Sequence, residues 1–286
     1  MDGFVFSVVL ASALMHATWN STIKQGPNSF LESLNIYIWK IPLTLTLILI
    51  LPSPHQDSWP FIAVSVFIHI LYNYALAYSY QHNDITKVYP IFRGTPPLII
   101  LVFSYLFLNE TISFTGWIAV IITSLGILSI SFTGSLIQKK SILSISLVTL
   151  SIVTYSIIDG LGARASEQSF SYLAWLFFIK GSLYSIIIIS QQGYQTSFEH
   201  LNNNRIRGIV TSLISFLSYS LILWAVTKAP IVYVAALRET SIIFVGIIGW
   251  LFLSEKLSKI KILSIIIIAL GAGLLRLSYS NYIKLI

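Results

Sequence analysis

The stretch Val88-Tyr89-Pro90-Ile91-Phe92-Arg93-Gly94-Thr95-Pro96-Pro97-Leu98 decides how this chain is read. It opens a long apolar segment, yet sets an arginine near the middle of that segment and two prolines just beyond. The plan returns as Val234-Ala235-Ala236-Leu237-Arg238-Glu239-Thr240-Ser241. A guanidinium at bilayer depth costs about 2.5–3.5 kcal/mol on insertion scales, so it needs a partner or a water-filled cavity. A chain that carries this cost twice, at matching places, has a use for it. The pair points to a helical membrane protein in which a small-molecule substrate meets both segments.

Composition excludes a soluble protein. Hydrophobic residues make up 56% of the chain and charged residues 9%, about a third of the usual charged share. Its 286 residues leave room for roughly ten spans of about 20 residues each, embedded in a lipid bilayer. The net charge of +7 is scattered between apolar spans, which excludes a nucleic-acid partner and reads as loop charge that sets orientation. No cysteine is present, so disulfides, thiolate catalysis and Cys-bound metals are out. Met1-Asp2-Gly3 lacks the positive start of a secretory signal, and the first apolar stretch reads as the first span of the mature chain.

Apolar runs lie at 4–22, 31–51, 60–80, 85–108, 114–133, 142–161, 172–190, 207–227, 230–253 and 261–280. They are continuous and long, unlike barrel strands, so the fold class is an all-α integral membrane protein. Polar punctuation separates them, as at Pro52-Ser53-Pro54, Asn109-Glu110-Thr111 and Asn202-Asn203-Asn204. A shift of 145 brings Tyr74 onto Tyr219, Arg93 onto Arg238, Thr95 onto Thr240, Glu110 onto Glu255 and Leu125-Gly126 onto Leu270-Gly271. A shift of 140 brings Lys24 onto Arg164, Ser29-Phe30 onto Ser169-Phe170 and Lys40 onto Lys180. The order and shared register define two repeats, 1–138 and 139–286, with the five-residue difference falling in the polar 191–204 loop. Five spans per repeat is odd, so the halves are expected to cross in opposite senses, with the substrate site at their interface.

Ten spans in two repeats, each fourth span carrying Leu-Phe-Leu-x-Glu at its end and each fifth a late Gly, resemble the EamA family of the drug/metabolite transporter superfamily. His16-Ala17-Thr18-Trp19-Asn20 and Tyr89-Pro90 with Arg93-Gly94-Thr95 resemble a bacterial subgroup of it. The resemblance implies a bundle around a central cavity, alternating access, and small metabolites such as amino acids moved outward across the bacterial inner membrane. It also implies cytoplasmic termini. The loop charges disagree: Lys24, Lys87, Lys139, Lys140, Arg205, Arg207, Lys256, Lys259 and Lys261 lie on one side against Arg164, Lys228, Arg276 and Lys284, which puts both termini outside.

Arg93 and Arg238 lead the candidate substrate-binding residues, because a guanidinium fork matches a carboxylate or phosphate. Tyr89 lies four residues before Arg93 and shares its face. Pro96 and Pro97 remove the amides that would bond Phe92 and Arg93, so a kink is expected there. The competing reading makes both arginines internal counter-ions to Asp159 or Glu239. Those two carboxylates are the candidate coupling sites, with a proton as partner. Asp159, near the end of its span, is alternatively an interface residue.

His16, Trp19 and Asn20 sit on one side of the first span and read either as cavity wall or as helix-packing groups. Tyr78, Tyr155 and Trp224 carry the same two readings, as do Tyr72 and Tyr219. Lys40 and Lys180 are candidates for a cavity face, since snorkelling is strained mid-span. His69 reads as a packing histidine, and Glu110 and Glu255 as structural loop residues. No Gly-rich phosphate loop and no metal-ligand spacing occur, so the expectation is no cofactor, no metal and no catalysis. Rival readings are a carrier of phosphorylated or sugar-linked metabolites, and a non-transporting membrane enzyme or partner protein. A monomer and a homodimer are both compatible with these residues.

Overall fold

Capping and proline positions set where the helices begin and break. A computed structural model describes residues 2–26, 28–83, 85–132, 141–252 and 258–283. Its helices are α1 (Gly3–Gln25), α2 (Ser29–Ile38), α3 (Lys40–Ile50), α4 (Trp59–His82), α5 (Ile85–Phe107), α6 (Phe114–Ser129) and α7 (Ile142–Ala165). They continue as α8 (Ser169–Gln192), α9 (Tyr194–Asn203), α10 (Arg205–Val226), α11 (Ile231–Arg238), α12 (Ser241–Phe252) and α13 (Lys259–Ile283). Asn28 opens α2 by accepting from the Phe30 and Leu31 amides at 3.0 and 3.3 Å, satisfying donors a helix start leaves free. Ser113 does the same for α6 through the Gly116 amide.

Two spans are broken inside the bundle. Between α2 and α3 the interruption falls at Trp39, where Pro42 has no amide to return to the Ile38 carbonyl. Between α11 and α12 it falls at Glu239-Thr240, where the backbone tightens: the Thr240, Ile242 and Ile243 amides each bond three residues back. The expected kink at Pro96-Pro97 is not where the first half breaks, since α5 runs unbroken over Ile85–Phe107 with Pro90, Pro96 and Pro97 inside it.

Among the described residues, nine segments are long and apolar enough to cross a membrane, and Phe114–Ser129 is a shorter apolar helix. The 191–204 stretch, expected as a loop, holds α9 instead. It starts from Gly193, whose φ of 87° lies where glycine alone is unstrained. The junction between the repeats at 138/139, Glu255, and the side chains of Lys24 and Lys87 lie outside the described residues.

Lipid offers no hydrophobic drive for one helix to meet another, so close approach and polar bonds must supply it. Ser12 Oγ donates to the Ser218 carbonyl at 2.7 Å and Ser218 Oγ to the Ser12 carbonyl at 3.0 Å, tying α1 to α10. Asp159 on α7 ties in turn to α4 (below). The first helix of each half thus packs on the third helix of the other. The repeat glycines serve the α6–α13 crossing: a methyl on Gly271 would lie 2.9 Å from the Thr123 nitrogen, and one on Gly126 2.8 Å from an Ile267 methyl.

Gly271→Val is therefore expected to destabilise the protein by about 1–3 kcal/mol through overpacking, read as a lower midpoint of thermal unfolding in detergent. Gly273→Val, with no atom within 4 Å of the added carbon, is the control and stays near the parent.

Candidate functional site: a charged chamber between the halves

The break after α11 places Glu239 at the centre of the bundle, fully buried. Its Oε1 accepts from Arg238 Nε at 3.0 Å and Nη2 at 2.8 Å. Its Oε2 accepts from Arg93 Nη1 at 3.3 Å. The two arginines of the repeat, 2% and 3% exposed, thus converge on one carboxylate from opposite halves. Arg93 Nη2 also donates to His16 Nε2, which fixes the other ring nitrogen of His16 as the protonated one. Tyr89 lies one turn from Arg93, as the spacing predicts, with the guanidinium 5.1 Å from its ring centre.

Beside this cluster is a cavity of about 40 Å³ whose wall includes His16, Trp19, Lys40, Tyr155, Lys180 and Arg238. By the volume a water needs, it holds about three waters. It draws on both halves and on both broken spans. Lys40 begins α3 just after the Trp39 interruption, and Arg238 ends α11 just before the Glu239 one. Unwound backbone at membrane depth is tolerated where it lines such a space or is buried in protein.

The far wall is organised by Asp159. Its carboxylate accepts from Ser65 Oγ, from Tyr219 OH, from Tyr172 OH at 3.0 Å, and meets His69 Nε2 at 2.8 Å. Asp159 is fully buried, so the interface reading fails. Four donors from α4, α8 and α10 converge on it and hold its charge inside the bundle. His69 continues the chain, with its Nδ1 3.2 Å from Lys180 Nζ. An ammonium only donates, so Nδ1 accepts and Nε2 carries the proton given to Asp159. His69 also stacks on Tyr155 at 4.3 Å. It belongs to the chamber and is more than a packing histidine.

The structure thus brings Arg93, Arg238, Glu239, His16, Trp19, Tyr89 and Tyr155 to one place, with Asp159 joined through His69. It does not bring three of the expected residues. Tyr78 is 43% exposed and stacks on His82; it lies on the outer side of α4. Trp224 meets Phe4 edge to face at 5.7 Å, away from the chamber. Asn20 is buried one turn beyond His16 but is not part of the wall. Lys40, Lys180, Tyr72 and Tyr219, also candidates for the wall, are there too, and the groups not expected in it are His69 and Tyr37. A sequence signal existed for the lysines, in their match across the repeat, but none set His69 apart.

A model of the EamA-like transporter family matches residues 4–132 and again residues 139–277. Among the solved structures that match, one described only as a crystal structure of a protein shares 13% identity, covers 97% of this chain and 97% of its own, and superposes with a TM-score of 0.70. At that identity the likeness speaks to fold alone. No curated protein matches the chain.

Glu239→Gln leaves two buried guanidiniums without their shared counter-charge, and about 3–5 kcal/mol of stability is expected to be lost. The double variant Arg93→Gln/Glu239→Gln removes one cation with the anion and recovers part of it. Unfolding midpoints of the three proteins in one detergent check both statements.

Proposed function

The chain belongs to the EamA-like transporter family, of multi-pass membrane carriers, and on that premise we propose a secondary active carrier that exports small polar metabolites such as amino acids or related compounds. The observation that carries this reading is the chamber itself. Arginines from matching places in the two halves meet on Glu239 beside a cavity walled by both halves. In the proposed architecture ten spans form two inverted five-helix repeats, 1–138 and 139–286, in the bacterial inner membrane. Alternating access then works around the midplane chamber.

Arg238 faces the cavity and, with Arg93 behind it, attracts an anionic group that competes with Glu239 for the guanidinium fork. Trp19 and Tyr155 pack against the rest of the substrate. Glu239, displaced from the arginines, and Asp159 at the end of the His69–Lys180 chain are the groups placed to take up or release a coupling proton.

Two ion pairs between the halves close the ends of α10. At one end Arg207 reaches Glu32, which is 3% exposed, with His200 Nε2 3.6 Å away. Burial, aided by the Arg207 charge and opposed by Glu32, holds the His200 imidazole below its ordinary value, so at neutral pH it adds no second cation. At the other end Arg164 donates to Glu110 at 2.9 Å and to the Val226 and Ala229 carbonyls. Glu110 also accepts from the Ile231 amide that starts α11. With both closed and the cavity at about 40 Å³, this arrangement reads as an occluded state, and each pair as a latch that opens in turn.

In proteoliposomes, Arg238→Gln is expected to reduce flux of a transported substrate at least ~10-fold, by loss of a charge-assisted contact worth about 1.5–3 kcal/mol, while the protein stays folded. Equal flux in parent and variant would remove the arginine from the mechanism. The absence of cysteine makes a single reporter clean. With Ser218→Cys in the chamber wall, Arg164→Gln is expected to speed labelling by a membrane-impermeant thiol reagent from one side of the membrane only.

A further inference from the structure

The chamber holds more basic side chains than carboxylates. Lys40 and Lys180 are 1% and 2% exposed and stand 140 residues apart, as do Tyr37 and Phe177. The four side chains form one two-fold arrangement. Lys40 Nζ lies 4.5 Å from the Tyr37 ring centre and 4.8 Å from that of Phe177. Lys180 Nζ lies 4.7 Å from each. Two amino groups therefore face the same pair of rings.

Among the described residues neither ammonium has a carboxylate within the 4.0 Å of an ion pair. Lys40 donates to the neutral Ser215 Oγ at 2.8 Å. Lys180 reaches Asp159 only through the His69 ring. With Arg93 and Arg238 this makes four basic groups against two carboxylates, Asp159 and Glu239, an excess of two. Ring faces offset part of the cost of a buried cation, but a buried cation without a counter-ion stays unfavourable.

The same geometry disfavours a zwitterion. A substrate ammonium needs a carboxylate or a free aromatic face. Asp159 already receives four donors and Glu239 two guanidiniums, while Tyr37 and Phe177 face the lysines, Trp19 faces Lys40 at 6.0 Å and Tyr155 faces Arg238 at 5.8 Å. Anionic groups, by contrast, find spare N–H capacity at both ends of the wall: each lysine Nζ gives one hydrogen bond of its possible three, and Arg238 bonds Glu239 through Nε and Nη2 alone.

The geometry points to a small organic dianion as the substrate class, one anionic group held at Arg238 and the other between Lys40 and Lys180. This rests on the carrier reading and replaces its amino-acid example with a cargo that carries two negative charges. Two carboxylates fill both places, whereas a phosphate ester carries both charges on the group between Lys40 and Lys180 and leaves a hydroxyl for Arg238; the chamber must enlarge beyond about 40 Å³ to admit either.

The test uses the full-length purified protein with four probes: glutarate, glycerol 3-phosphate, glutaramate (one carboxylate made an amide) and glutamine. Thermal unfolding reads binding, because a ligand of the native state raises the midpoint by an amount that grows as the logarithm of one plus the ratio of ligand concentration to Kd. Glutarate or glycerol 3-phosphate is expected to raise the midpoint at concentrations where glutaramate and glutamine do not. Glutarate alone identifies dicarboxylates, and glycerol 3-phosphate alone identifies phosphate esters. Lys40→Gln is expected to weaken the dianion at least ~10-fold and to erase its advantage over glutaramate. Lys40→Arg keeps the charge and retains that advantage, which separates charge from folding. Glutamine binding as well as glutarate, no dianion binding at all, or Lys40→Gln leaving the preference intact would each overturn the inference. A dianion that binds but is not moved in proteoliposomes would instead sink the carrier reading and leave the substrate class standing.

Discussion

One buried carboxylate holds the centre of this protein together. Two guanidiniums brought into a low-dielectric interior repel each other, and each has surrendered its water. Glu239 offers one oxygen to Arg238 and the other to Arg93, and without it neither arginine could remain where the repeat places it. The arrangement is not fully compensated. Arg93 Nε has no partner among the described residues, and His16 contributes only a neutral acceptor to the other side of the fork. A site with one anion for two cations is poised to accept a second anion, which is the property a carrier of anionic or partly anionic molecules needs.

The backbone makes this possible. An unbroken helix would point Arg238 and Glu239 100° apart around its axis, roughly as any adjacent pair. At the α11–α12 interruption the chain tightens into bonds three residues long, and both side chains turn to one place. Thr240 supports the turn by donating its hydroxyl at 2.6 Å to the Leu237 carbonyl, which also accepts the Thr240 amide at 3.0 Å. In the first half the corresponding service comes from a different span. Pro42 interrupts the second span, and Lys40 enters the chamber immediately beyond the interruption. The repeats are alike in sequence register but not in where they break, so the chamber is lopsided: arginine and glutamate at one wall, lysine and serine at the other.

Much of this was legible in the chain. The two spans with central arginines, the shifts of 145 and 140, and the apolar runs all depend on spacing, and spacing survives folding. Tyr89 beside Arg93 follows from helical period alone. What spacing could not supply is which side of a buried helix faces inward when nearly every residue is apolar or aromatic. Tyr72 and Tyr78 lie on the same helix with the same chemistry, yet Tyr72 is buried beside the chamber and Tyr78 faces outward. Trp224 was as plausible as Trp19 for the same reason. Asp159 and His69 are 90 residues apart and meet only because α4 packs on α7. A long-range contact of that kind leaves no local mark. Pro96 and Pro97 lie inside α5, which is helical over Ile85–Phe107, and the interruption of the first half falls at Trp39 before Pro42 instead.

The hydrogen bonds also constrain how such a chamber can open. If the two halves moved apart as sequence units, the reciprocal Ser12–Ser218 pair between α1 and α10 would part. So would the Ser65 and His69 contacts to Asp159 between α4 and α7. Both joints are buried, where a lost hydrogen bond costs more than at the surface. The latches at the two ends of α10 are different. Arg164 and Arg207 are about a third exposed, so their separation is softened by solvent. The mechanically stiff units are therefore pairs that cross the repeat boundary, α1 with α10 and α4 with α7. Between these pairs the contacts whose separation costs least are the half-solvated ones, Arg164 with Glu110 and Arg207 with Glu32, while the buried Tyr219–Asp159 bond ties α10 to α7 at the centre.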